Sequence, residues 1–431
     1  MKINSIFLIA LWFAFTSLSA QPQLSSGTPQ SVGMSEKHLS MMDDVIQEYV
    51  ENDWIPGGVF LVARRGKIVY FKSFGTKSDK KGDLYQNDDI FRIASMTKAV
   101  TTVSIMQLYE QGKLRLDDPV SDYIPAFKEM TVLESVNEAD SSYTSIKANR
   151  PITIRHLLTH SSGITYGNEK DLGKVHTKAG LPRAGLSSED WTSERFINEL
   201  AALPLAFHPG EKYNYGLNMD VLGRVVEVIS GQSLSDYFRK NIFDPLGMND
   251  TWFYLPKNIQ NRLVHVNQQK ENGFEVMDGK IYNNPDHQYP LSKDHAYYAG
   301  GGGLSSTAMD YAKFTQALVN GGTYGEARIL GSRTIEVMTS DQMILLNEQG
   351  QGFSKQPGIT YCLGFSLITE DGAGQGPRSP GTYAWGGYFN TKFFIDPREE
   401  LIFVGMTQIE FGNKGGLWDR LDAVIYGSII D

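Results

Sequence analysis

Apolar positions in this chain change period several times, and each change predicts an element. Residues 58–64 (Gly-Val-Phe-Leu-Val-Ala-Arg) and 68–74 (Ile-Val-Tyr-Phe-Lys-Ser-Phe) are β-rich runs, separated only by Arg65-Gly66-Lys67. That spacing predicts a hairpin. Upstream, Ser35 offers a helix N-cap, and Leu39, Met42, Ile46, Tyr49 and Val50 recur at helical spacing. Near the far end, residues 391–395 and 401–407 flank Asp396-Pro397-Arg398-Glu399-Glu400, which predicts a second hairpin. From Leu417 onward, Leu421, Val424, Ile425 and Ile429 form the stripe of a closing helix.

Strands near both termini with mostly helical patterns between them predict an α+β fold. Its antiparallel sheet is built from both chain ends and flanked by helices. The sheet part is expected over about 30–117 and 291–431, with a mostly helical insert over about 118–290. Residues 138–149, 347–358 and 371–382 read as loops, being rich in Gly, Ser, Pro or amide side chains. There is no internal repeat.

At the N-terminus, Lys2 precedes an apolar run from Ile6 to Phe15, then Thr16-Ser17-Leu18-Ser19-Ala20 and polar Gln21. This pattern predicts a secretory signal over 1–20 and a single functional domain over 21–431. A membrane anchor would need an apolar run of roughly 20 residues. The expectation is therefore an exported protein, periplasmic or secreted, without a stable membrane anchor.

Composition narrows the classes further. The 431 residues are 41% hydrophobic and 21% charged, with 22 Phe, 21 Tyr and 6 Trp, as in a chain that builds a packed core. Asp plus Glu outnumber Lys plus Arg by 49 to 40, for a net charge of -9. No basic footprint exists for a phosphate backbone, so nucleic acid is excluded as the expected partner. Cys362 is the only cysteine. Its setting, Tyr361-Cys362-Leu363-Gly364-Phe365, is apolar and fits a small core residue rather than a reactive thiol.

Ser95-Met96-Thr97-Lys98 opens a helical pattern continued by Val103, Ile105, Met106 and Leu108. Positions i and i+3 share a helix face, so the Ser95 hydroxyl and Lys98 amine can meet. A helix N-terminus favours developing negative charge, and a lysine desolvated beside a serine can take its proton near neutral pH. The tetrapeptide alone reads equally well as ordinary helix. A second match, Ser78 to Lys81, lies in the charged stretch Lys-Ser-Asp-Lys-Lys-Gly-Asp, where lysine would stay solvated.

The balance changes with four further stretches: 154–163 (Ile-Arg-His-Leu-Leu-Thr-His-Ser-Ser-Gly), 209–223 (Pro-Gly-Glu-Lys-Tyr-Asn-Tyr-Gly-Leu-Asn-Met-Asp-Val-Leu-Gly), the run Gly300 to Gly303, and Trp385-Gly386-Gly387. In this order they resemble the serine β-lactamase and penicillin-binding-protein superfamily. Within it the chain is most similar to the family VIII carboxylesterases, built on a class C β-lactamase-like fold, and the likeness covers the mature chain.

The resemblance implies an acyl-enzyme on Ser95, with Lys98 and Tyr215 sharing the proton. Tyr213 is the packing alternative to Tyr215. It also implies an oxyanion hole from the backbone N–H groups of Ser95 and Tyr388, and substrate contacts at Trp385, Gly386, Gly387 and Leu217. Tyr215-Gly216-Leu217 lacks the asparagine of the Tyr-x-Asn motif, and Trp385 replaces the lysine of Lys-Thr-Gly. Both departures favour uncharged esters over β-lactams, since a lysine would supply a charge-assisted contact worth about 1.5–3 kcal/mol to a substrate carboxylate.

The expected activity is hydrolysis of carboxylic esters. The alternatives are a β-lactamase or D-amino-acid peptidase acting on cell-wall-type amides, and a penicillin-binding-like sensor without turnover. No metal or organic cofactor is expected. His156 and His160 are spaced i, i+4, but Leu157 stands where a zinc-binding His-Glu-x-x-His helix needs glutamate. A structural role is expected for both. The glycine run reads as a tight turn, and Lys414-Gly415-Gly416, a rival third motif, reads as the turn before the closing helix.

Overall fold

The structure is a computed structural model that describes residues 23–77, 82–182, 191–270, 273–277, 290–291, 297–410 and 415–431. The expected signal segment, the rival Ser78 to Lys81 motif and Lys414 lie outside the described residues. The main sheet contains β1 (Ser25–Ser26), β2 (Gly57–Arg64), β3 (Lys67–Gly75), β4 (Ile359–Tyr361), β5 (Ser366–Ile368), β6 (Tyr383–Gly387), β7 (Thr391–Asp396) and β8 (Leu401–Met406). Their order is β1-β3-β2-β8-β7-β6-β5-β4, antiparallel throughout except for the β1–β3 edge. The sheet therefore does draw on both ends of the chain, joined at the β2–β8 seam.

The hairpins form as the sequence predicts. Arg65 (φ 51°) and Gly66 (φ 72°) are both left-handed, the pattern of a two-residue turn that matches strand twist. In the second hairpin, Asp396 Oδ1 accepts from the N–H groups of Arg398 and Glu399, which holds the β7–β8 turn.

Helices relevant to the site are α1 (Met41–Glu51), α2 (Thr97–Glu110), α3 (Ile154–Leu158), α4 (Asn218–Ser230), α5 (Ala308–Val319) and α6 (Leu417–Gly427). α1 and α6 pack together over one sheet face, while α5 covers the other. Side chains on β2 alternate accordingly. Val59, Leu61 and Ala63 enter the main core, whereas Phe60 and Val62 enter the core under α1 and α6. Because both faces are covered, β2 and β8 are buried along their whole length, which explains their uninterrupted apolar sequence.

Three local expectations change. The opening helix is broken: Ser35 caps a single turn, Glu36–Leu39, and α1 begins after Ser40. The loop expected over 138–149 contains the strand Tyr143–Lys147, paired with Thr131–Val136. That strand is exposed at all five positions, so its β-branched and aromatic residues pair without the apolar alternation that marks a half-buried strand. Finally, Ile429 lies beyond α6 and bridges to Met34.

Phe403 is 1% exposed, stacks on Phe394 and meets Trp418 edge-on, all on the sheet face covered by α1 and α6. Phe403→Ala is expected to cost about 3–5 kcal/mol in urea unfolding. Activity per folded molecule should be unchanged, since the site described next lies on the opposite side.

Candidate active site

Ser95 lies in a single 3-10 turn, Ala94–Met96, that runs directly into α2. Ala94 is held at φ 43°, a left-handed conformation that costs an alanine on the order of 1–2 kcal/mol. Such strain persists where neighbours over-determine it. Here Ile93 N–H donates to Leu304 O at 3.0 Å, Leu304 N–H donates to Thr97 Oγ1 at 3.1 Å, and Tyr311 OH donates to Met96 O at 2.9 Å.

Lys98 is fully buried in the first turn of α2. Its Nζ lies 3.2 Å from Ser95 Oγ and 3.0 Å from Tyr166 OH, and it donates to Gly301 O at 2.5 Å. An ammonium has three N–H donors, and these are three acceptors for it. In the neutral amine, the same geometry leaves two donors satisfied and turns the lone pair toward the serine hydroxyl.

The glycine run is therefore more than a turn. Gly301 O receives Lys98, and Gly300 O accepts from Thr101 Oγ1 at 2.7 Å one turn along α2. A Cβ at 300 would stand 2.5 Å from Met219 O, and one at 301 would stand 2.4 Å from Asp220 Oδ2. Only glycine lets this backbone pass between α2 and α4.

Tyr215 precedes α4. Its OH accepts from Trp385 Nε1 at 3.3 Å, and Lys98 Nζ lies 4.8 Å from its ring centroid. Tyr213 instead packs among Phe353, Tyr361 and His160. His160 lies beyond the end of α3 in a left-handed conformation (φ 52°), which turns it inward rather than along a helix face with His156. Its carbonyl accepts from Asn214 N–H at 2.7 Å, and its Nδ1 accepts from Gly216 N–H at 3.4 Å and meets Asn218 Nδ2 at 2.9 Å. The backbone on both sides of Tyr215 is gripped by one histidine. Burial, reinforced by the charge on Lys98, holds that imidazole neutral, well below the usual histidine range.

The end of β6 flanks the Ser95 turn. A Cβ at Gly387 would fall 2.4 Å from Ile93 O, so glycine permits the strand to close on the serine segment. Tyr388 follows, and its phenol donates to Glu410, which anchors the residue whose N–H was expected in an oxyanion hole. Trp385, Phe353 and Tyr361 join Tyr213 and Tyr215 in a wall of rings with centroids 5.2–5.9 Å apart. Lys392, opposite Gly386 on β7, does not restore the missing lysine. Its register puts it on the other sheet face, beside Arg378 and Asp422.

Ser95, Lys98, Tyr215 and Trp385 thus converge as expected from their motifs. Leu217 does not join them: it is 2% exposed and packs in the main core. Tyr166, the phenol bonded to Lys98, and Gly301 were not expected at the site. Among the described residues, no group of three or more His, Cys, Asp or Glu could hold a metal, and no helix is long and apolar enough to cross a membrane. Gly416, from the rival third motif, is the N-cap of α6.

The sequence profile of the β-lactamase family matches residues 42–425, and the chain belongs to that family. It is 32% identical over 374 residues to Protein Rv1367c of Mycobacterium tuberculosis, covering 84% of this chain and 88% of the relative. Identity to Esterase EstB of Burkholderia gladioli is 28% over 403 residues, covering 89% and 94%. Among solved structures it is similar to EstCE1, described as a hydrolase with promiscuous acyltransferase activity. That match has TM-score 0.77 and 26% identity, over 91% of this chain and 99% of the other. With esterase and acyltransferase relatives across its length, the protein is a serine hydrolase of the β-lactamase fold.

Two outcomes follow from the geometry. Gly387→Ala should lower ester hydrolysis by on the order of 10²-fold, because the clash moves the strand end from the serine; unchanged far-UV circular dichroism would confirm that folding is intact. Cys362 is fully buried, and burial pushes its thiol far above the usual range. Iodoacetamide at pH 8 should leave the native protein unlabelled and modify it only after unfolding in urea, as read by intact mass.

Proposed function

We propose that Ser95 is the nucleophile of a carboxylesterase that works through an acyl-enzyme. The observation that carries this reading is the wholly buried Lys98 amine, 3.2 Å from Ser95 Oγ at the start of α2. The neutral amine takes the serine proton as Oγ attacks the ester carbonyl. The backbone N–H groups of Ser95 and Tyr388 receive the oxyanion. The proton then passes by way of Tyr215, beside Lys98, to the departing alkoxide, and a water activated at the same phenol releases the acid.

The substrate is an uncharged ester. Trp385 and its aromatic neighbours offer apolar surface, and the only nearby lysine on the adjoining strand, Lys392, faces away. Residues 1–20 act as a cleaved export signal, so N-terminal sequencing of the exported protein should begin at Gln21.

Initial rates with p-nitrophenyl butyrate and nitrocefin test the assignment. Parent protein should turn over the ester and leave nitrocefin nearly untouched. Ser95→Ala should reduce ester hydrolysis to background, and Lys98→Ala should cost at least about 10³-fold, because the two side chains act as a unit. Preferential turnover of nitrocefin would favour the cell-wall amide reading, and substantial activity in either variant would remove the roles assigned.

A further inference from the structure

Behind Lys98 lies a second buried ionisable group, the Asp220 carboxyl, which takes no part in the proton transfers from Ser95 to the alkoxide. Asp220 stands in the first turn of α4, which packs against α2, and is 3% exposed. Its Oδ1 accepts from Tyr297 OH at 3.0 Å and from Gly301 N–H at 3.2 Å. Its Oδ2 is buried and, among the described residues, has no hydrogen-bond partner. Gly301 thus holds the carboxylate through its N–H while its carbonyl holds Lys98 Nζ.

An isolated charge taken out of water costs several kcal/mol unless an opposite charge and hydrogen bonds offset it. Asp220 meets that need for the ammonium form of Lys98, with Gly301 bonded to both. Burial holds the Asp220 carboxyl above the usual carboxylate range, and the charge of Lys98 is the largest influence in the opposite direction, ahead of the hydrogen bonds. Among the described residues, the other groups around the pair do not carry compensating charge. His160 is held neutral, Tyr297 is held protonated well above the usual phenol range, and Tyr166 and Tyr215 present phenols to Lys98.

We propose that Asp220 is a positioning residue for the hydrolytic reaction, the counter-charge that stabilises the Lys98 ammonium formed when Ser95 gives up its proton. This rests on the assignment of Ser95 and Lys98 above. In that step the Ser95 O–H bond breaks, an N–H bond forms on Lys98, and Oγ bonds to the ester carbon. The carbonyl π pair moves onto oxygen, so one positive and one negative charge appear. The backbone N–H groups receive the negative charge, and Asp220, through Gly301, receives the positive one. The ammonium then returns its proton, by way of Tyr215, to the leaving alkoxide, and Asp220 keeps its own charge throughout.

Because the neutral amine is the proton acceptor, a carboxylate that favours the ammonium places the acid limb of the rate profile higher in pH. Removing that charge moves the limb down. Asp220→Asn keeps an oxygen for Gly301 N–H and Tyr297 OH but loses the charge. In the kcat/KM profile for p-nitrophenyl butyrate, its acid limb should lie about one pH unit or more below the parent's. Its kcat at the plateau should fall at least about tenfold, since the ammonium is less well stabilised. Tyr297→Phe leaves the carboxylate charged with one donor fewer, so its field at Lys98 strengthens and the limb should move by less and in the opposite direction, to higher pH.

A folded Asp220→Asn protein whose profile superimposes on the parent's would overturn the proposal. So would a lowered plateau with an unmoved limb, which is the signature of a purely structural role. Should Asp220→Asn fail to fold, the limb of Tyr297→Phe decides, and no movement there overturns the proposal. Ser95→Ala assayed alongside separates the two inferences. Lost hydrolysis in that variant with an unmoved limb in Asp220→Asn removes only the role of Asp220, whereas retained hydrolysis removes the nucleophile assignment itself.

Discussion

The burial of one amine organises this molecule. Lys98 has no exposure to water, so each of its N–H bonds must be met by the protein, and the partners come from distant parts of the chain. Ser95 is three residues away, Tyr166 is 68 away and Gly301 is 203 away. Satisfying them requires α2, the segment after α3, and the backbone between α4 and α5 to meet at one point. The glycines at 300 and 301 and the left-handed residues Ala94 and His160 are the backbone features that permit this approach.

The sheet supplies the rigid side of the arrangement. β2 and β8 are sealed on both faces, and β7 and β6 extend that slab toward the site. Gly387 at the end of β6 rests against Ile93, so the serine turn is trapped between a strand end on one side and α2 on the other. Support on rigid elements is what preorganised donors and a positioned nucleophile need, since small displacements at a reacting centre cost large factors in rate. The aromatic wall around Tyr215 and Trp385 provides area without charge.

Local physics made much of the fold legible in the sequence. Both hairpins, the closing helix and the buried helix behind Ser95 follow from short-range patterns: turn residues, unbroken apolar runs and helical periodicity. The break at Ser40 and the exposed strand Tyr143–Lys147 were not legible, because neither changes the apolar periodicity on which the reading depends. Ser95, Lys98, Tyr215 and Trp385 were legible because each sits in a compact motif. Tyr166, Gly301 and Asp220 were not, since their importance arises from contacts with residues dozens to hundreds of positions away. His156 and His160 show the same limit. Their spacing suggested a shared helix face, yet the chain leaves the helix between them and uses only His160 to hold the backbone beside Tyr215.

Whether the Ser95–Lys98 contact makes a nucleophile is read by labelling with a fluorophosphonate followed by peptide mass mapping. A single phosphonyl adduct should form on the peptide containing Ser95, rapidly in the parent protein and not detectably in Lys98→Ala. An adduct at another residue, or equal labelling of Ser95 without Lys98, would contradict the roles assigned to the pair.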